Sequence, residues 1–335
     1  MSPPTPRTRL APSPTGALHL GNARTFLINW ALAKQRGQRV LLRIEDLDGP
    51  RIKRGADRLA RDTLAWLGLD WDEGPLYQSS DLGDDGPYHA ALARLRRQGY
   101  IYPCDATRKE IEAARSAPHG DEHELRYPGL NRPAHLGGEG ASEPAMIEAV
   151  PLLDEDAHAW RLVVPDGNVI FHDELHGEQA IDVQQQVGDF VVATKAGTPA
   201  YQLAVVVDDA RQGVTHVVRG DDLLRSTARQ VLLYRLLNLG EPPAYCHVPL
   251  VIGEDGRRLA KRHGDTRLAR YREAGVAADR VVGLLAAWCG VTPHRDAGGE
   301  PEPMPAEAFA ERFALSRLPR EPVVLTEEDE RWLLG

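Results

Sequence analysis

Two stretches of the chain combine residue types whose spacing can do chemistry. The first is Arg9-Leu-Ala-Pro-Ser-Pro-Thr-Gly-Ala-Leu-His-Leu-Gly-Asn22 and the second is Arg43-Ile-Glu-Asp-Leu-Asp48. In the first, a Pro/Gly loop passes through His19 and Gly21 and opens a helix expected over Ala23 to Arg36, stopped by Gly37. The first turn of a helix presents unpaired N–H groups and the positive end of a dipole, so an anion such as a phosphate fits there. His19 can donate to a phosphate or ring oxygen, and Gly21 leaves the backbone open to close approach. The pattern is neither Gly-x-x-x-x-Gly-Lys-Ser/Thr nor Gly-x-Gly-x-x-Gly.

In the second stretch, Glu45, Asp46 and Asp48 follow the apolar run Val40-Leu41-Leu42, which reads as a buried parallel strand. That puts carboxylates at the carboxyl edge of a sheet, where open α/β folds bind ligands, and one of them can hold an ammonium group. A histidine before a glycine is commonly a turn residue, and Glu-Asp-x-Asp a solvated turn. Their meeting in one strand–loop–helix–strand crossover, with Arg9 and Ser13 ahead of them, points to a site.

Pro12-Ser-Pro-Thr-Gly-Ala-Leu-His-Leu-Gly-Asn22 resembles the first signature of class I aminoacyl-tRNA synthetases. Together with Arg9, Ala11 and the Arg43–Asp48 stretch, it is similar to the glutamyl branch of that family. The second family signature, a Lys-Met-Ser-Lys-Ser loop, has a degraded counterpart in Arg258-Leu-Ala-Lys-Arg262. The resemblance implies an α/β fold: a Rossmann-type catalytic domain with an α+β insertion and a short helical C-terminal stem region. It also implies ATP-dependent activation of L-glutamate with Mg²⁺.

By the same resemblance His19, Gly21 and Asn22 belong to the ATP cradle and Lys261 contacts the phosphates. Glutamate offers two carboxylates and one ammonium, and Arg pairs a carboxylate bidentately. The pocket implied is Arg9, Ala11, Pro12, Ser13, Glu45, Tyr201 and Arg219. Arg258, Ala260 and Arg262 depart from the family's Lys, Ser and Ser; Arg258 keeps charge but not the compact ammonium. A small-molecule adenylyltransferase would share the His-x-Gly cradle and the fold but should lack the Arg9/Glu45/Tyr201/Arg219 set. A catalytically silent relic would fit the altered second signature but not the persistence of His19, Gly21, Glu45 and Lys261.

The family's insertion resembles a zinc site with ligands from Cys-x-Cys and a later Tyr-x-x-x-Cys. Here Cys104 and Tyr127 remain, while Ala106 and Asn131 stand in the other two positions, and His119 and His123 have no spacing that replaces them. A structural zinc site takes four ligands, so zinc is expected to be lost. The chain ends soon after the second signature, where full glutamyl-tRNA synthetases add a helical anticodon-binding region. That termination is similar to the short paralogous group that attaches glutamate to queuosine in tRNA(Asp). The alternative is a truncated synthetase charging tRNA 3′ ends.

The elements that must position these residues follow from pattern and punctuation. Helices are expected over Gly55–Leu67 and Tyr88–Arg97, with a loop from Leu69 to Pro75 leading to Tyr77. A Gly/Pro-rich insertion runs from Cys104 to about residue 159. Arg161–Val164 and Asn168–Phe171 flank Pro165-Asp-Gly and read as a hairpin; Phe190–Thr194 and Ala200–Val207 read as another. Thr215–Arg219 reads as a short strand and Gly220 opens a helix carrying Leu224, Val231, Leu232 and Leu236. After Leu250-Val-Ile, Gly253-Glu-Asp-Gly256 turns the chain into the basic loop; the remainder, to Leu285, reads as helix, and one more helix falls near Ala306–Arg312. The expected division is 1–103, the first half of the catalytic domain; 104–187, the insertion; 188–265, the second half with the Lys261 loop; and 266–335, the helical stem.

At 335 residues, 42% hydrophobic and 27% charged, the chain can bury a large core. Its three cysteines, at 104, 246 and 289, have no close pairing, which suits a reducing compartment. No signal peptide and no run of apolar residues long enough for a membrane are evident, so a cytoplasmic protein is expected; the expectation for its assembly is a monomer. The net charge of −9 argues mildly against binding nucleic acid by charge alone. Arg257, Arg258, Lys261, Arg262, Arg267, Arg270 and Arg272 nevertheless cluster around the second signature.

Overall fold

The computed structural model describes residues 5–113, 126–133, 152–153, 158–257, 259, 266–293 and 299–335. The chain opens with β1 (Arg7–Leu10), α1 (Leu20–Gln35) and β2 (Arg39–Ile44), with the two strands parallel and Arg9 opposite Leu41. The helix starts three residues earlier than its sequence suggests because His19 caps it. α2 (Ala56–Trp66) follows, and then β3 (Glu73–Tyr77), parallel to β2, where the sequence predicts only a loop. Asp72 sets that register by exchanging bonds with Val40: its N donates to Val40 O at 2.8 Å and its Oδ2 accepts from Val40 N at 2.7 Å. β3 is at the edge of this sheet, where Pro75 removes no needed ladder donor.

α3 (Pro87–Arg97) leads to β4 (Ile101–Cys104), which pairs antiparallel with β5 (Ala159–Leu162). The chain then leaves that sheet: β6 (Asn168–Asp173) and β7 (Gly177–Asp182) form a hairpin of their own, and β8 (Val191–Ala193) returns to pair with β5. The predicted hairpin across Pro165-Asp-Gly is therefore wrong; the turn carries the chain from one sheet to another. The predicted strand Ala200–Val207 is also wrong. Tyr201–Arg211 is a helix whose Leu203–Asp209 are all buried. A short apolar run that is buried on every side looks the same in sequence whether it is helix or strand.

Next come β9 (His216–Gly220), the helix Leu224–Leu237 and β10 (Ala244–Val248), which lies between β9 and β6 and is parallel to both. β11 (Val251–Ile252) pairs with β12 (Val323–Val324). The two halves meet where β9 lies beside β1: Thr215 N donates to Arg7 O at 2.9 Å and Arg7 N donates to Thr215 Oγ1 at 2.8 Å. The strands are buried on both faces. Val40, Leu42 and Ile44 belong to one core and Leu41 to the other, just as Val218 and Val217 divide in β9. α1 packs in the first core and Leu224–Leu237 in the second, so the crossovers from β1 and β9 leave on opposite faces. Such a switch point opens a crevice at the carboxyl ends of the strands.

α1 is buried nearly all round. Gln35 Nε2 donates to Ala310 O and Phe313 O at 2.7 Å each, and Arg24 donates to Pro249 O and Trp288 O at 2.6 and 3.2 Å. The helices Ala278–Trp288 and Ala306–Arg312 thus close the core over α1. At Gly283 the first of these helices packs closely on the segment leading into the second: a Cβ there would meet Glu302 O at 2.4 Å. Gly→Ala inside a helix normally stabilises by about 1 kcal/mol. Here overpacking reverses the sign, so Gly283→Ala should lower unfolding stability by roughly 1–3 kcal/mol. Urea denaturation of both proteins checks this, and an unchanged or raised midpoint would show that the 302–303 segment yields freely.

Candidate active site

A cleft of about 450 Å³ opens at the switch point. Its lining brings together Arg9, Ala11, Pro12, Ser13, His19, Gly21, Asn22, Glu45, Tyr201 and Arg219, ten of the eleven positions expected from sequence. The eleventh, Lys261, lies outside the described residues, as do Arg258 and Arg262. The flanks of that stretch do reach the cleft. Leu250 and Val251 line it, Leu20 N donates to Thr266 O at 3.2 Å, and Leu268 N donates to Leu18 O at 2.9 Å.

His19 owes its place to capping. Its Nδ1 accepts from Asn22 N at 3.4 Å and its backbone N donates to Asn22 Oδ1 at 3.2 Å, a reciprocal capping box. With Nδ1 accepting, a neutral ring carries its proton on Nε2, a donor at the dipole-positive end of α1. The atoms nearest a Cβ at Gly21 would be His19 Cε1 and Nδ1, at 3.1 and 3.2 Å. The glycine therefore makes room first for the imidazole lying across the helix start.

The middle of the cleft is built on buried charge. Arg43 is fully buried; its Nη1 donates to Asp209 Oδ1 at 2.7 Å and Gln212 Oε1 at 2.9 Å, and its Nη2 to Glu45 Oε1 at 3.1 Å. Burial disfavours this charge, but the carboxylates of Asp209, Glu45 and Asp208 outweigh it and raise the guanidinium's pKa further. The same Asp209 Oδ1 lies 3.4 Å from Arg9 Nε. Of the three carboxylates after β2, only Glu45 lines the cleft. Asp46 accepts from Ser79 N and Oγ at 2.8 and 2.6 Å, and Asp48 pairs with Arg51 at 3.3 Å on the surface. Tyr201 is 42% exposed at the mouth.

Arg219, 6% exposed, is held from behind. Its Nε donates to His247 Nε2 at 3.0 Å and its Nη2 to Thr227 Oγ1 at 2.7 Å, while Nη1 is buried with no hydrogen-bond partner among the described residues. His247 Nδ1 in turn bonds Asp173 Oδ2 at 2.7 Å. Arg43, Asp209, Thr227, His247 and Asp173 were not among the site residues read from sequence. Their signal was present: Arg43 interrupts an apolar strand, Asp209 ends an apolar helix, and His247 sits in the buried strand Tyr-Cys-His-Val. A charged or titratable group inside a buried run needs a partner.

A family model of the tRNA synthetases class I (E and Q), catalytic domain, matches residues 6–318. The chain belongs to this family. A protein of Symbiobacterium thermophilum named glutamyl-Q tRNA(Asp) synthetase is 45% identical over 339 residues, which cover 98% of each chain. One of the same name from Rhodopirellula baltica is 44% identical over 325 residues, 95% of each. The crystal structure of a glutamate tRNA ligase from Elizabethkingia meningosepticum, in complex with its amino acid, matches with a TM-score of 0.75 at 26% identity. That match covers 98% of this chain and 68% of the other.

The insertion departs from the family's zinc pattern in its chemistry. Cys104 Sγ lies 3.3 Å from Tyr127 Oη and donates to Asn131 Oδ1 at 3.3 Å; Asn131 N donates to Tyr127 Oη at 3.2 Å. The Tyr127 ring carries the Arg161 guanidinium 3.6 Å from its centroid. One thiol, one phenol and an amide do not make the four-donor set a structural zinc ion takes. His119 and His123 lie outside the described residues. Metal analysis of the purified protein should find well under one zinc per chain, and a chelator should leave its melting temperature unchanged. Stoichiometric zinc, or a chelator-induced fall in melting temperature, would reverse this reading.

The His247 imidazole is pushed down to about 4, by burial first, with Arg219 and His176 adding to the effect and Asp173 opposing it. An unfolded histidine titrates near 6.5. Between these values the unfolded chain takes up a proton that the native fold refuses. Stability contributed at this site is therefore complete above about pH 6.5 and is lost as pH falls through 4, by roughly 3 kcal/mol in all. Urea midpoints at pH 7.5 and 4.5 should fall less in His247→Gln than in the native protein. An equal fall would place the acid sensitivity elsewhere.

Proposed function

We propose that the chain activates L-glutamate with ATP and transfers the glutamyl group to queuosine in tRNA(Asp). The observation that carries the first half is the joining of two buried arginines and one carboxylate, Arg9, Arg219 and Glu45, in a cleft that also takes in the start of α1. The two guanidiniums match the two carboxylates of glutamate, and Glu45, held by Arg43, matches its ammonium. Tyr201 and Ser13 supply hydroxyls from the cleft wall. At the other end, the His19–Asn22 cap and the first N–H groups of α1 would receive the phosphates. Mg²⁺ would come with the nucleotide's phosphates; with Glu45 given to the ammonium, Asp222 is the lining carboxylate left to meet such an ion.

In the first step a carboxylate oxygen of glutamate bonds to the α-phosphorus of ATP and the bond to pyrophosphate breaks. The protein's part is alignment and stabilisation of charge on the transferring phosphoryl group. Lys261, the retained lysine of the second signature, is proposed to supply part of that stabilisation. In the second step a hydroxyl of the queuosine cyclopentenediol attacks the activated carbonyl and AMP leaves. Anticodon loops offer unstacked bases that a cleft can grip. Arg257, Arg267 and Arg272, exposed and close in sequence to the second signature, would track the phosphates. No described helix is long and apolar enough to cross a membrane; the proposed substrate, a tRNA, puts the site of action in the cytoplasm.

ATP–pyrophosphate exchange with each amino acid tests the first step: glutamate should support it and glutamine or aspartate should not. Equal exchange with glutamine would remove the assignment of the pocket. Labelled glutamate should then reach tRNA(Asp) that carries queuosine, even after periodate oxidation of its 3′ terminal ribose with the base protected. Raised salt should weaken this transfer far more than exchange. Label arriving on tRNA(Glu), or on tRNA(Asp) without queuosine, would favour charging of 3′ ends instead.

A further inference from the structure

Arg219 does not hold itself in place. The edge formed by its Nε and Nη2 is committed to His247 Nε2 at 3.0 Å and Thr227 Oγ1 at 2.7 Å, and its Cζ lies 5.4 Å from the centroid of the Tyr245 ring. The opposite edge, from Nη1 to the second hydrogen of Nη2, remains for a ligand; Nη1 has no hydrogen-bond partner among the described residues. A guanidinium can donate but not accept. The bond to His247 therefore exists only while Nε2 bears a lone pair, and a neutral ring must then carry its proton on Nδ1. Asp173 provides for this. Its Oδ2 accepts from His247 Nδ1 at 2.7 Å and from His247 N at 3.0 Å, while its Oδ1 accepts from Leu175 N and His176 N at 3.0 and 2.9 Å.

We propose that His247, fixed by Asp173 as the Nδ1–H tautomer, is a positioning residue that aims the free edge of Arg219 at a carboxylate of the amino-acid substrate. This rests on the glutamate reading of the cleft. The charged and titratable groups that face the imidazole are Asp173 from β6, Arg219 from β9, His176 after β6, and Tyr245 of its own strand, whose ring stacks at 6.0 Å. Protonation of Nε2 would set a second cation against Arg219, so the arrangement works through the neutral ring alone. Burial already keeps it neutral well below physiological pH. Thr227 Oγ1, 3.0 Å from Nε2, completes the triangle that fixes the guanidinium plane.

Two substitutions separate positioning from folding. His247→Asn keeps an amide donor for Asp173 but cannot reach Arg219, whereas His247→Gln extends an amide oxygen toward Nε. In glutamate-dependent ATP–pyrophosphate exchange, His247→Asn should raise the KM for glutamate roughly 10- to 100-fold, the size expected for losing one hydrogen bond to a charged group. The KM for ATP should stay within about 2-fold, and His247→Gln should recover most of the loss. Wild-type glutamate affinity in His247→Asn would overturn the proposal. So would equal losses in both variants accompanied by a rise in the KM for ATP. If the native protein itself fails to activate glutamate, the proposed substrate is wrong, and the ¹⁵N imidazole spectrum still decides the positioning claim. At pH 7 it should show a protonated Nδ1 and an unprotonated Nε2, and the opposite tautomer or an imidazolium would refute it.

Discussion

The cleft depends on charge that has been taken out of water. Arg43 lies inside the sheet with no exposed surface, and Arg9 beside it is 5% exposed. A buried guanidinium needs carboxylates within contact distance, because desolvation would otherwise cost several kcal/mol. Asp209 provides one oxygen to both arginines, and Glu45 provides another to Arg43. The carboxylate that lines the cleft is therefore fixed by an arginine that does not line it, and the arginine that lines it is fixed by an aspartate that does not. Removing either hidden member would leave an uncompensated charge in the centre of the sheet, so the binding residues and the strand packing constrain each other.

The same division of labour recurs across the seam between β1 and β9. Arg219 presents one edge inward and is gripped at the other by His247 of β10 and Thr227 of the crossover helix Leu224–Leu237, which follows β9. The two arginines of the cleft thus come from the two halves of the sheet: Arg9 of β1 is paired with Asp209 from the helix Tyr201–Arg211, and Arg219 of β9 is held through His247 by Asp173. A ligand bridging them would span the point where the strand order reverses. That follows directly from the crossovers leaving on opposite faces, since only there do two strand ends diverge enough to leave a cleft.

Sequence made the front of the site legible and left its back hidden. His19, Glu45 and Arg219 stand at strand or helix ends next to turn residues, where local pattern is strong, and the β1–α1–β2 crossover could be drawn from Val40-Leu41-Leu42 and the Gly/Pro loop. The run Ala200–Val207 misled because β-branched residues buried on all sides satisfy a strand pattern as well as a helix one, and tertiary packing decided. β3 was missed because Gly74 and Pro75 are turn residues by composition, yet an edge strand tolerates them. Asp209, Asp173 and His247 were not singled out because their roles require knowing which strands are neighbours, and pairings such as β10 between β9 and β6 have no local signature.

α1 connects these features in a way that bears on how the protein is made. Its N-terminus lines the cleft, its body shares a core with the helices Ala278–Trp288 and Ala306–Arg312, and its last turn is tied to Ala310 and Phe313. On the ribosome, the nascent chain would carry Leu27, Trp30 and Ala31 past the exit tunnel long before their C-terminal cover is synthesised. Contacts of such long sequence separation form late and leave apolar surface bare meanwhile. This buried helix thus waits for partners that lie far on in the sequence, so its end of the cleft would be completed only once the segment through Phe313 has emerged.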